Sequence, residues 1–288
     1  MQGGVKWVTF ACALLSVATT FGIVTVLLAQ SVAFFRNVPL ETFLGGTEWR
    51  PSATPPAFGV LPLITGTLMI TIGAGLIAVP LGLLSAIFLS EYAQPKLRKI
   101  LKPALELLAG IPTVVYGYLG LYMVTPFLKT LSPNFQATNG ASGAIVVGIM
   151  ILPLVSSLCE DAISAVPKSL REGAYALGAT KMEVCSKIVV PAALSGIMAS
   201  FILALSRALG ETMAVTLAAG SNPVLTFDPQ KSIQTMTAYI VSTSQGDAAY
   251  GTVQYNSIFA VGVTLFVFTL GMNMVATRLV RRFRQVYT

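Results

Sequence analysis

Six stretches of mostly apolar residues, at roughly 7–35, 60–90, 104–128, 142–159, 194–219 and 255–280, set the terms on which this chain can fold. A helix crosses a bilayer with about 20 such residues, so each stretch reads as a transmembrane helix. Composition agrees: 55% of the 288 residues are hydrophobic and only 10% are charged. A soluble domain carries roughly 25% charged residues, so this chain lacks the polar surface of a water-soluble globule. The expected fold is an all-α membrane protein, one transmembrane domain over 1–288 with six spans. Pro80 and Pro112 fall inside the second and third spans, where kinks are expected and buried neighbours satisfy the freed carbonyls. The first stretch exceeds the ~7–15-residue core of a secretory signal, so it reads as a retained helix.

The basic residues orient these spans. Lys6, the segment 91–103 (Lys96, Arg98, Lys99, Lys102), the segment 160–193 (Lys168, Arg171, Lys181, Lys187) and the tail (Arg278, Arg281, Arg282, Arg284) place thirteen on one side. Arg36, Arg50, Lys129 and Lys231 place four on the other. Loops rich in Lys and Arg stay in the cytoplasm, so both termini are expected there. The net charge of +7 is then a topology signal and not a sign of nucleic-acid binding.

Several chemistries lack their residues. The chain has no histidine, the commonest general base. Cys12, Cys159 and Cys185 lie far apart, without the spacing of a zinc or redox motif. No GxxxxGK[ST] loop is present to cradle ATP phosphates. The outer segment "EWRPSATPPAFG" reads as an ordered extended loop. The outer segment "SIQTMTAYIVSTSQ" reads as a short amphipathic helix on the surface or against a partner.

Two features carry functional weight. Residues 164–191, "SAVPKSLREGAYALGATKMEVCSKIVVP", read as two short helices broken at Gly178, with Ser164 or Pro167 opening the first. Leu170, Ala174 and Leu177 supply its apolar face, and Gly178 can take the positive φ that ends a helix cleanly. Such an elbow suits docking to a cytoplasmic partner, although an ordinary interfacial loop has the same periodicity. The second feature is the pair Arg207 and Glu211 inside the fifth apolar run. Residues four apart share a helix face within pairing distance. They read either as a self-satisfied ion pair or as an anion site, because intramembrane charges mark ion and substrate paths. A guanidinium offers planar donors matched to phosphate oxygens. Ser206 and Thr212 flank the pair, and Thr67 and Thr71 share one face of the second span.

The 164–191 segment resembles the "EAA" loop of bacterial ABC-importer permeases. That pattern is E-A-A, three residues, G, nine residues, then I-x-L-P. Here it runs Glu172-Gly173-Ala174, then Gly178, then Ile188-Val189-Val190-Pro191, with matching spacing and departures at Gly173 and Val190. "FGVLPLITGTL", "LSEYAQPKLRKILKPALELLAGIPTVVYGYLGL" and "ALSRALGETMAV" further resemble phosphate-importer permeases of the PstC type, from about residue 55 onward. The resemblance implies a type I ABC-importer permease fold in the bacterial inner membrane. It implies that Glu172, Gly173, Ala174 and Gly178 couple the chain to a separate ATP-binding subunit. The resemblance puts Arg207 on a phosphate path. In the anion-site reading Glu211 holds it at rest and phosphate displaces the carboxylate. Ser206, Thr212, Thr67 and Thr71 are candidate donors to the anion, although such hydroxyls more often bond a neighbouring helix or their own backbone. The implied partners are a homologous PstA-type permease, two ATP-binding subunits, an extracytoplasmic phosphate-binding protein and membrane lipid. No cofactor is expected on this chain, and ATP and Mg belong to the partners. Alternatives are the PstA-type sister subunit or a permease for sulfate or molybdate. A self-sufficient secondary transporter or channel would have no need of the elbow, and no enzyme motif is evident.

Overall fold

A computed structural model describes residues 2–246 and 248–283. Arg284, counted above in the basic tail, lies outside them.

The chain opens with one long helix, α1 (Gln2–Phe35), followed by a short helix α2 (Leu40–Gly45) and a two-stranded antiparallel hairpin, β1 (Trp49–Arg50) with β2 (Ala57–Phe58). This bears out the expectation of an ordered loop before the second span. Phe34, Phe43, Trp49 and Phe58 are buried there edge-to-face, with ring centroids between 5.3 and 6.2 Å apart. Aromatic edges and faces attract, so the cluster anchors the hairpin to the end of α1.

The core of the bundle is the pairing of α3 (Leu61–Ile87) with α7 (Gly140–Ser164). Small residues make the approach possible. A Cβ on Gly82 would meet Val155 at 2.6 Å, and one on Gly73 would meet Ala144 at 2.7 Å. In a membrane, where apolar side chains gain little by leaving lipid, such close backbone packing drives helix association. α3 runs unbroken through Pro80 and ends in a wide π turn, Phe88–Tyr92. Asn139 starts α7 by accepting the Ser142 N–H at 2.8 Å.

The third apolar run is bent. α4 (Pro95–Ala109) is amphipathic and stands at 89° to the segment Thr113–Leu131. That segment is built from α5 (Thr113–Leu119), a π turn and α6 (Thr125–Leu131). The expected span at 104–128 is therefore not one continuous helix: residues 104–109 complete α4 and the helical segment resumes at Thr113. Gly110 and Pro112 cause the break, since the residue before a proline is steered away from helix. Pro112 is thus the N-cap of α5 and not a kink inside a helix.

Beyond α7 the elbow consists of α8 (Lys168–Ala176), α9 (Lys181–Val184), a π turn over Cys185–Val189 and α10 (Val190–Ala192). Pro167 caps α8, while Ser164 ends α7. The chain then bends by 68° into α11 (Leu194–Leu209), continues as α12 (Met213–Ala218), and later forms α13 (Met236–Ser244) and α14 (Val253–Phe283). α1 lies along α14 and is otherwise exposed on the isolated chain.

The expectation for "SIQTMTAYIVSTSQ" is half right. The helix exists, but α13 is buried in the bundle and not laid on its surface: Met236, Thr237, Ala238 and Tyr239 are all covered. Gly66 of α3 explains how it fits. A Cβ there would stand 2.4 Å from the Gln234 carbonyl oxygen. Gly66→Ala is expected to push α13 off α3 and destabilise the fold by about 1–3 kcal/mol, the usual penalty for overpacking. A fall in the thermal midpoint of the purified protein measures it.

Candidate functional site

α11 does not carry Arg207 and Glu211 together. It ends at Leu209, and residues 210–212 interrupt the helix before α12 starts. Arg207 sits in the last turn of α11 and is exposed, whereas Glu211 is buried. No ion pair joins them among the described residues. The four-residue rule holds only along a continuous helix, and here Gly210 ends it. Glu211 instead accepts the Ala214 N–H at 3.2 Å, meeting one of the donors that the first turn of α12 leaves open. Its backbone carbonyl accepts the Thr237 hydroxyl at 2.7 Å.

The flanking hydroxyls divide between two environments. Ser206 donates to Asn273 Oδ1 of α14 at 2.8 Å, which puts a polar contact beside Arg207. Thr212 donates to the Gly210 carbonyl at 3.2 Å. Thr67 and Thr71 are buried away from this face, and each returns a bond to its own helix at 2.8 Å. Thr67 also accepts the Met236 N–H at 3.0 Å, so it pins α13 to α3. Sequence reasoning missed Asn273. An asparagine inside the apolar run "FTLGMNMVAT" was the available signal, since polar groups in spans seek partners.

The elbow has the shape expected of it. Gly178 takes φ +83°, and its N–H and that of Ala179 return to the carbonyls of Tyr175 and Ala174, closing α8. One detail differs: Leu177 does not face the core but is 90% exposed. With Met182 and the half-exposed Tyr175 it forms an apolar tip, while Ala174 alone of the three expected residues is fully buried. The Thr180 N–H and hydroxyl donate to Glu183 at 3.0 and 2.9 Å, and Lys187 adds a third donor at 3.2 Å. These donors, the backbone N–H foremost, push the Glu183 carboxyl down to about 2. The folded value lies below the unfolded one, so the cap's contribution is complete above the usual carboxylate pKa of about 4.3 and fades as the pH falls toward 2. Carbon-13 titration of Glu183 should show that low midpoint, and Thr180→Ala should return it toward the ordinary range.

A second cluster at the elbow end was not anticipated. Glu160 is only 1% exposed and lies between Arg98 and Lys102 of α4. Lys102 reaches Glu160 at 2.6 Å and Asp161 at 2.7 Å, and Arg98 also donates to Ser164 at 3.0 Å. Arg171 of α8 bonds Glu91 at 3.0 Å and the Ile163 and Val166 carbonyls at 2.9 and 2.5 Å. α4, the end of α7 and the elbow are therefore tied into one polar assembly.

Several membrane-length apolar helices, an elbow of two short helices and an exposed arginine within an apolar run occur together in this bundle. The chain belongs to the binding-protein-dependent transport system inner membrane components, whose family model matches residues 78–285. It is 38% identical over 264 residues to the probable ABC transporter permease protein YqgH of Bacillus subtilis, covering 91% of this chain and 85% of that one. It is 36% identical over 260 residues to the phosphate transport system permease protein PstC of Mesorhizobium japonicum, covering 84% and 78%. Its fold matches a chain of a bacterial alginate ABC transporter with a TM-score of 0.68 at 18% identity, covering 98% of this chain and 96% of that one. A chain of the MetNI methionine transporter matches at 0.58, covering 79% and 95%. The protein is thus a multi-pass inner-membrane permease subunit of the ABC-importer kind.

Proposed function

We propose that this chain forms half of the translocation pathway of an ATP-driven inorganic phosphate importer, with Arg207 as the group that meets the anion. The observation that carries this reading is the exposed guanidinium in a membrane span, with no described ion-pair partner. A charge placed there costs at least ~2.5–3.5 kcal/mol, which a structural role would offset by pairing. Ser206 and Asn273, bonded to each other at 2.8 Å, put polar atoms one residue away along α11. Relatives named as PstC phosphate permeases support phosphate as the substrate. Because Arg207 and Glu211 are not paired, phosphate has no carboxylate to displace. Glu211 and Thr67 serve the framework instead, holding α12 and α13, and Thr71 bonds back within α3.

In this reading the elbow side is cytoplasmic, with both termini, and the apolar tip of Leu177 and Met182 seats in a separate ATP-binding subunit. Glu172, Gly173, Ala174 and Gly178 shape that contact. Two such subunits bind ATP and Mg, a PstA-type permease supplies the other half of the path, and an extracytoplasmic phosphate-binding protein delivers substrate. The test is reconstitution of the complex in liposomes. Phosphate-binding protein should stimulate ATP hydrolysis and uptake of radiolabelled phosphate, and a 100-fold excess of sulfate or molybdate should leave uptake intact. Uptake of those anions in preference to phosphate would sink the assignment.

The elbow itself yields a graded prediction. Nothing lies within 4 Å of a Cβ built on Gly178, so Gly178→Ala suffers only from its φ of +83°, a strain of about 1–2 kcal/mol. Proline locks φ near −65° and cannot take that conformation at all. Gly178→Ala should retain ATP-subunit co-purification with weakened ATPase stimulation, and Gly178→Pro should lose both.

A further inference from the structure

The two arms of the elbow grip consecutive residues at the end of α3. Arg171, on the first arm, bonds Glu91 through Nη2 at 3.0 Å and Nε at 3.3 Å. Lys181, at the start of the second arm, stands 4.8 Å over the ring of Tyr92. The Glu91–Arg171 pair is largely shielded, with side chains 8% and 16% exposed, so salt screens it weakly. Both routes out of the elbow contain a π turn, at Phe88–Tyr92 and at Cys185–Val189, but only the covalent route to α11 adds a 68° bend.

The far end of α3 reaches the neighbourhood of the arginine by hydrogen bonds. Thr67 holds the first N–H of α13, and Thr237 of α13 holds the Glu211 carbonyl in the break after α11. A continuous helix such as Leu61–Tyr92 transmits displacement along its axis better than two segments meeting at 68° do. We propose that Glu91 and Tyr92 are positioning residues that clamp the elbow to α3. Movement of the elbow then reaches the 210–212 break through α3 and α13 rather than along the chain. This rests on the coupling role proposed above for the elbow.

The experiment uses the full complex in liposomes and reads phosphate taken up per ATP hydrolysed. Glu91→Arg and Arg171→Glu are each expected to lower that ratio about 10-fold. Glu91→Gln, which leaves Arg171 on the Ile163 and Val166 carbonyls and removes only the charge pairing, should lower it less than Glu91→Arg does. Tyr92 is 44% exposed, so substitutions there spare the fold. Tyr92→Leu should lower the ratio while Tyr92→Phe, which keeps the π face, should not. Single variants with an unchanged ratio would overturn the clamp. If the charge variants fail to assemble, equal ratios for Tyr92→Leu and wild type overturn it. A wild-type complex that hydrolyses ATP without moving phosphate would instead refute the functional reading itself.

Discussion

Replacing Arg207 by alanine is expected to reduce phosphate uptake about 100-fold while the complex still assembles. A hydrogen bond to a charged group contributes roughly 1.5–3 kcal/mol, and a guanidinium can offer two to one phosphate. Each 1.4 kcal/mol is tenfold, so losing even one or two such bonds takes uptake down by one to two orders of magnitude or more. The side chain is exposed on the isolated subunit and makes no described ion pair, so its loss removes little packing. Arg207→Lys should fall between, at about 10-fold, because it keeps the charge but loses the planar fork. Uptake by Arg207→Ala at the wild-type rate would end the anion-site reading. Loss of co-purifying subunits would show that Arg207 holds an interface.

The helical content and the crossing elements of this protein were legible because apolar runs of membrane length have few alternatives. α1, α3, α7 and α14 appear where their runs predicted, with α7 extending to Ser164. Hydropathy cannot see direction, however, and that is where the reading failed. Residues 104–109 are apolar enough to join the third run, yet they complete α4, which turns 89° at Gly110. The local Gly-Ile-Pro sequence marked the break, and a window average diluted it. The same applies at Gly210, where one residue separated two charges that a helical wheel would pair.

The elbow was read more accurately than the site, for a physical reason. Its features are local: a proline cap, a positive-φ glycine and a capping box fall within a few residues of one another. The contacts of Ser206 with Asn273, of Glu160 with Arg98 and of Thr67 with Met236 join residues 62 to 169 positions apart. No spacing rule encodes such meetings. They depend on how α3, α4, α7 and α14 pack, which a single sequence does not display.

Glu160 supplies the other large expected effect, and its sign depends on which partner is removed. The carboxylate is 1% exposed, while the Arg98 and Lys102 side chains are 39% and 30% exposed. Removing both cations, as in Arg98→Met with Lys102→Met, strands a buried negative charge. Leaving a buried charge unpaired destabilises by about 3–5 kcal/mol. Removing the carboxylate, as in Glu160→Gln, leaves two cations that can turn toward water, and Lys102 keeps Asp161 at 2.7 Å. That change should be much milder, on the order of 1 kcal/mol, the range of one ordinary hydrogen bond. The thermal midpoint of the purified permease should therefore fall several times further for the double methionine variant than for Glu160→Gln. Adding Glu160→Gln to the double variant should raise the midpoint again, because the stranded charge is gone. A simple sum of the separate losses would show that Glu160 is hydrated in the membrane-embedded protein and that the cluster is a surface ion pair. Recovery on removing the third member would show instead that burial sets its energetics, which is the condition for α4 to be held firmly against the elbow end of α7.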